Sequence, residues 1–235
     1  MVRVSRQCCL VALIVVDVAI SGQAAIVTYT DPSLFAGSLQ DSYANNFSAL
    51  SGGATGLTLS FSGGSPTTFS YQLTDPVGTD LDGFYVQNTP PTGITGKAVQ
   101  TYSTPRTLTI DSFSANVTAI GGYFFFTDAA GALKSDVSPI TVSVNGTAYS
   151  FTPSNPSDAT KYFFGFTTDA GSITSLAFSS PDSSHYSTVG DLTVGSLAAV
   201  PEAGGWVAGG FLGVFVVGRS GFIFLRRCRQ ATWQQ

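Results

Sequence analysis

Charge, cysteine and histidine are all scarce in this chain, and each scarcity closes off a class of function. Only 10% of its 235 residues are charged, against roughly one-quarter in ordinary soluble domains. The three cysteines are Cys8, Cys9 and Cys228. Residues 25–199 therefore contain none, which excludes a disulfide framework and thiolate chemistry there. The same stretch lacks glutamate. Its four basic residues, Lys97, Arg106, Lys134 and Lys161, stand against twelve aspartates, a net charge of −8. Such a balance repels phosphate backbones, so nucleic acid is not an expected partner. His185 is the single histidine, which leaves too few nitrogen and sulfur ligands for zinc. Helical periodicity is nearly absent and no repeat of about 20 to 50 residues recurs, which sets aside helix bundles, solenoids and propellers.

What is abundant lies first at the two ends. Arg3 and Arg6, an apolar run from Cys8 to Ile20, and the small residues Gly22 and Ala24 have the three-part form of a secretory signal. Residues 1–24 are read as a signal peptide that signal peptidase removes after Ala24. Residues 204–225 are apolar except for Arg219 and Ser220, long enough to cross a bilayer as a helix, and Arg226, Arg227 and Arg229 follow. Positive charge marks the cytoplasmic side of such a span. The middle region, 25–199, is therefore expected outside the membrane.

Just before the span stands Val200-Pro201-Glu202-Ala203. Pro201 fixes φ and removes a backbone donor, keeping this stretch extended in a form a processing enzyme can grip. Glu202 is the only glutamate in the chain. The order of motif, apolar span and arginine cluster across residues 200–235 resembles the sorting signal of PEP-CTERM proteins of Gram-negative bacteria, with Ala203 in place of the motif's second proline. That resemblance implies recognition near Val200, Pro201 and Glu202 by an exosortase-like enzyme, and an association with exopolysaccharide and biofilm.

The middle is rich in Ser, Thr and Gly and reads as strand after strand. Residues 26–30, 57–61, 67–73, 107–110 and 119–126 carry β-branched and aromatic residues, several in strict alternation. Between the alternating runs 140–144 and 147–151 stands Asn145-Gly146, which predicts a hairpin because a type I′ turn needs positive φ at both central residues. Runs at 161–166, 172–178 and 188–194 follow. Only residues 33–50 offer a turn or two of helix, with Asp31 and Pro32 as cap and first position. Some ten short strands without interleaved helices predict an all-β, antiparallel two-sheet β-sandwich of jelly-roll type.

Chemistry-bearing clusters are few. Residues 181–187 are read as an exposed polar loop, in which Asp182 and Ser184 beside His185 do not make a catalytic triad, since triad members meet in space rather than in sequence. Asp75-Pro76, Asp128-Ala-Ala-Gly131 and Asp169-Ala-Gly171 are read as turns. Asp75, Asp80 and Asp82 are a weak oxygen-ligand set for calcium, without the ligand alternation or closing glutamate of an EF-hand. Most of the aromatic residues in 123–126 and 162–166 are expected in the core. No cofactor is implied. The expectation is an exported, non-enzymatic surface or matrix protein, membrane-held as a precursor. Its alternative is a carbohydrate-binding or adhesive sandwich, with calcium as an optional aid and an extracellular polysaccharide as partner.

Overall fold

The computed structural model describes residues 25–76, 83–169 and 171–198. The described residues through Leu197 belong to one compact unit, and Ala198 falls in a second whose remainder lies outside the described residues. Two antiparallel sheets carry almost the whole described structure. The larger runs β1 (Ile26–Tyr29), β13 (Phe163–Thr168), β9 (Ala119–Thr127), β15 (Tyr186–Leu197), β7 (Ala98–Thr101), β6 (Phe84–Gln87), β3 (Gly53–Thr55), with β10 (Leu133–Lys134) added to β9 and β2 (Leu39–Asn45) to β15. The smaller runs β12 (Thr147–Phe151), β11 (Ile140–Val144), β14 (Leu176–Ser179), β8 (Thr107–Asp111), β5 (Phe69–Thr74), β4 (Thr58–Gly63).

The sheets face one another through aromatic side chains, which makes the described unit a β-sandwich. In β9 the period of two sends Phe124 and Phe126 toward the smaller sheet, where both meet Phe178 of β14, the second with stacked rings 4.7 Å apart. Phe151 of β12 meets Phe164 of β13 at 4.3 Å. Tyr71, Leu73, Leu108, Ile110, Phe124 and Phe166 are almost fully buried in this core. Burying one such aromatic or aliphatic side chain is worth roughly 1.5–3 kcal/mol, so the core accounts for a fold that has no disulfide to lean on.

The hairpin forms as its dipeptide predicts. Asn145 and Gly146 sit at φ 50° and 81°, and Val144 pairs with Thr147 across the turn. The helical expectation for 33–50 holds only at its start. Asp31 caps α1 (Pro32–Gly37), its Oδ1 accepting from Ser33 N at 2.7 Å and Leu34 N at 3.2 Å. Residues 39–45 then form β2, not helix, alternating half-buried and exposed along the edge of β15. α1 docks on the outer face of the larger sheet by sinking Phe35 over Gly121 and Gly165. A Cβ on Gly121 would lie 2.8 Å from the Phe35 ring, and one on Gly165 would lie 2.7 Å from it. Glycine is needed at both positions for that close approach.

Candidate functional site

The most irregular strand of the sandwich helps to build an open groove on its outer face. β15 pairs with β9 at residues 186–190 and 193–195, but its other edge changes partner. Residues 188–190 pair with β7 and residues 192–197 pair with β2. The hand-over is a bulge between Gly190 and Thr193, where Asp191 takes φ 43°. Bulges of this kind re-aim side chains, and a left-handed aspartate is uncommon enough to need a structural reason. That reason is the segment between β6 and β7. Thr95 donates from its backbone N to Asp191 Oδ2 at 2.9 Å and from its hydroxyl to Oδ1 at 2.6 Å. Lys97 N donates to Asn46 O at 2.8 Å, tying the same segment to the end of β2.

Above this junction lies an open groove of about 510 Å³ between α1, the end of β2 and the outer face of β9, β13 and β15. Pro32 and Ala36 form one rim and Ala44 and Asn46 another, while Tyr123 and Asp191 lie along it. Phe163 holds the Tyr123 ring in an edge contact, centroids 5.5 Å apart at 74°. Burial raises the Tyr123 phenol above its ordinary value, and the negative charge of Asp191 raises it further. The phenol therefore stays protonated as a donor beside a carboxylate acceptor. Such a lining, with the aromatic rings of Phe35, Tyr123 and Phe163 and a few placed polar groups, is the usual make-up of a small-molecule site.

On the same outer face, Gln87, Gln100, Thr127 and Thr188 are buried and joined. Gln87 donates to Gln100, Thr127 donates to Gln100 at 2.9 Å, and the Thr127 and Thr188 hydroxyls lie 2.8 Å apart. This network binds four strands together and holds no ionisable group.

His185 is not in an exposed loop. Its side chain is 4% exposed, and two carboxylates from separate segments grip it. Asp182 Oδ1 lies 2.7 Å from Nδ1, and Asp136 Oδ1, from the segment between β10 and β11, lies 3.0 Å from Nε2. Burial alone would lower the His185 pKa, but hydrogen bonds to Asp182 and then Asp136 outweigh it and raise the value. His185 in turn lowers both acids, Asp136 in direction and Asp182, with help from Ser184, to about 2. Although Ser184 Oγ lies 3.0 Å from His185 Nδ1, a nucleophile–base pair does not result. A carboxylate oxygen lies within hydrogen-bond distance of each ring nitrogen, so neither nitrogen is free to take a hydroxyl proton. Local sequence missed this cluster because Asp136 arrives from 49 residues away.

Asp75 is likewise not a solvated turn residue. Its side chain is fully buried and lies 2.9 Å from Arg106 Nη1. Of the other calcium candidates, Asp80 and Asp82 lie outside the described residues, as do Ala24, Val200, Pro201, Glu202, Arg226, Arg227 and Arg229. Among the described residues no group of three or more His, Cys, Asp or Glu could hold a metal ion. Asp128 does form its turn, with Oδ1 accepting from Ala130 N and Ala132 N, each at 2.9 Å.

No protein-family model matches the chain, and no curated protein matches it. One solved structure it resembles is an exo-β-1,3-galactanase from Phanerochaete chrysosporium crystallised with β-1,3-galactotriose. The two share 20% identity over 60% of this chain and 29% of that one, with a TM-score of 0.29. The chain thus spans less than a third of that enzyme's length, and the likeness is too slight to carry fold or function across.

Proposed function

We propose that this chain is an exported, non-enzymatic surface or matrix protein whose jelly-roll-like sandwich is delivered outside and processed through a PEP-CTERM-like tail. One observation carries the reading: a signal-like start, the Pro201-Glu202 motif, an apolar span and a terminal arginine cluster occur in this order around a cysteine-free β domain. Signal peptidase removes residues 1–24. The span at 204–225 holds the precursor in the inner membrane with Arg226, Arg227 and Arg229 inside, and an exosortase-like enzyme then acts near Glu202. The described chemistry fits a binding domain better than a hydrolase, since the buried histidine is an ion-paired clamp. The groove beside Asp191 favours the companion reading, a carbohydrate-binding module working outside the cell.

The motif is tested by Glu202→Ala in a host that carries the processing enzyme. The expected result is a full-length, membrane-held precursor that still exposes its domain, because insertion depends on the apolar span and not on one carboxylate. Processing of the variant at the parent rate would leave an ordinary single-pass anchor in place of a sorting signal.

A further inference from the structure

We propose that the groove at the β15 bulge is a binding site for a neutral saccharide unit, with Tyr123 as its apolar platform and Asp191 as its principal hydroxyl acceptor. The inference rests on the reading of the chain as an exported, carbohydrate-contacting protein and adds the site and the ligand class. Four independent segments converge there: α1, the end of β2, the segment bearing Thr95, and the bulge itself. The bulge does more than end a pairing. It holds an aspartate in the left-handed region, where Thr95 fixes both carboxylate oxygens from one side. A carboxylate has about four acceptor positions, and Thr95 fills two. The remaining lone pairs suit hydroxyl donors, which bind charged acceptors more strongly than neutral ones.

The rest of the lining matches a polyhydroxylated ring. Thr193 and Asn46 add a hydroxyl and an amide that each donate and accept. Tyr123 supplies a ring for the C–H face of a sugar and a protonated phenol at its edge. A volume of about 510 Å³ lies within the range of small-molecule sites.

Charge selects the class. Among the described residues lining the groove none is basic, and the surrounding region carries a net −8, so uronate, sulfated and phosphorylated units are repelled. Among the described residues Asp191 is the only carboxylate lining the groove, and its oxygens already accept from a neutral residue. Neither a bridging metal ion nor an ammonium partner is called for. Binding is therefore calcium-independent and favours neutral over acidic sugars.

The test uses the full chain, purified in detergent, on an array of neutral, amino and acidic glycans in EDTA. Retention of neutral glycans is expected. Asp191→Asn keeps a residue that tolerates positive φ and should weaken retention about tenfold or more, the scale of a lost hydrogen bond to a charged group. Tyr123→Ala should weaken it by about tenfold. Ala36→Trp, at an exposed position on the rim, should block the groove without touching the core, and an unchanged far-ultraviolet circular dichroism spectrum and unfolding midpoint would confirm the fold. Retention of only acidic or amino glycans, retention only with added calcium, retention untouched by Ala36→Trp and Asp191→Asn, or no retention at all would each overturn the proposal. A chain that is processed at Glu202 but ignores neutral glycans loses the groove alone; one that binds them but escapes processing loses the sorting reading alone.

Discussion

The buried His185 is where protonation and folding are most tightly linked. Its folded pKa stands above the ordinary 6.5 because Asp182 and Asp136 outweigh the burial that opposes its charge. The native state thus binds this proton more tightly than the unfolded chain does. The stabilisation is complete below 6.5 and is lost as the pH rises through the raised value. Asp182, held down to about 2, works at the other end: its contribution is present above 3.8 and is lost as the pH falls toward 2. Thermal unfolding should therefore give its highest midpoint between pH 3.8 and 6.5 and a declining one on the alkaline side. His185→Gln should flatten that decline; a parent-like profile in the variant would show that other groups set it. Nothing in residues 181–187 alone announces the clamp, since the second carboxylate belongs to a different loop. Asp191 was hidden for a related reason: its acceptors face Thr95, and its conformation follows from a change of strand partner that no local pattern encodes.

Among the elements, α1 and its seat give the clearest mechanical statement. Phe35 is 2% exposed and lies over Gly121 and Gly165, so a Cβ added at either glycine must displace its ring. Gly121→Ala would also bring its Cβ to 2.9 Å from the Phe163 ring. It should lower stability by about 1–3 kcal/mol, the usual effect of overpacking a tight site, read as a lower urea midpoint. Gly37→Ala, where an added Cβ meets nothing within 4 Å, is the control and should leave the midpoint unchanged or raise it. Elements with strong local signals were legible in the sequence: the Asn145-Gly146 hairpin, the aromatic run of β9 and the capped start of α1. Those without such signals were not. β2 reads Leu-Gln-Asp-Ser-Tyr-Ala-Asn and looks like the continuation of a polar helix, yet it is a half-exposed strand added beside β15. β7, Ala98–Thr101, is buried at all four positions and so shows no alternation.

For the molecule as a whole, the absence of cysteine from 25–199 leaves stability to the aromatic core between the sheets. Circular dichroism of the folded chain should show a β-dominated signal from this region, and its cooperative unfolding should have the same midpoint with and without a thiol reductant. A shift in the midpoint on reduction would point to a covalent contribution that the sandwich does not need. The two-layer arrangement was readable from strand density and turn residues, while the order of strands was not, because pairings such as β15 with β9, β7 and β2 join segments far apart in the chain. That last strand has a further consequence. β15 is twelve residues long and leads directly into the tail, and neighbours flank it on both edges for half of its length. Tension entering from the C-terminal side and directed along the strand would load its ladder bonds together in shear instead of peeling them one at a time. A domain tethered by its tail and pulled by whatever it holds would thus bear the force on its best-secured strand.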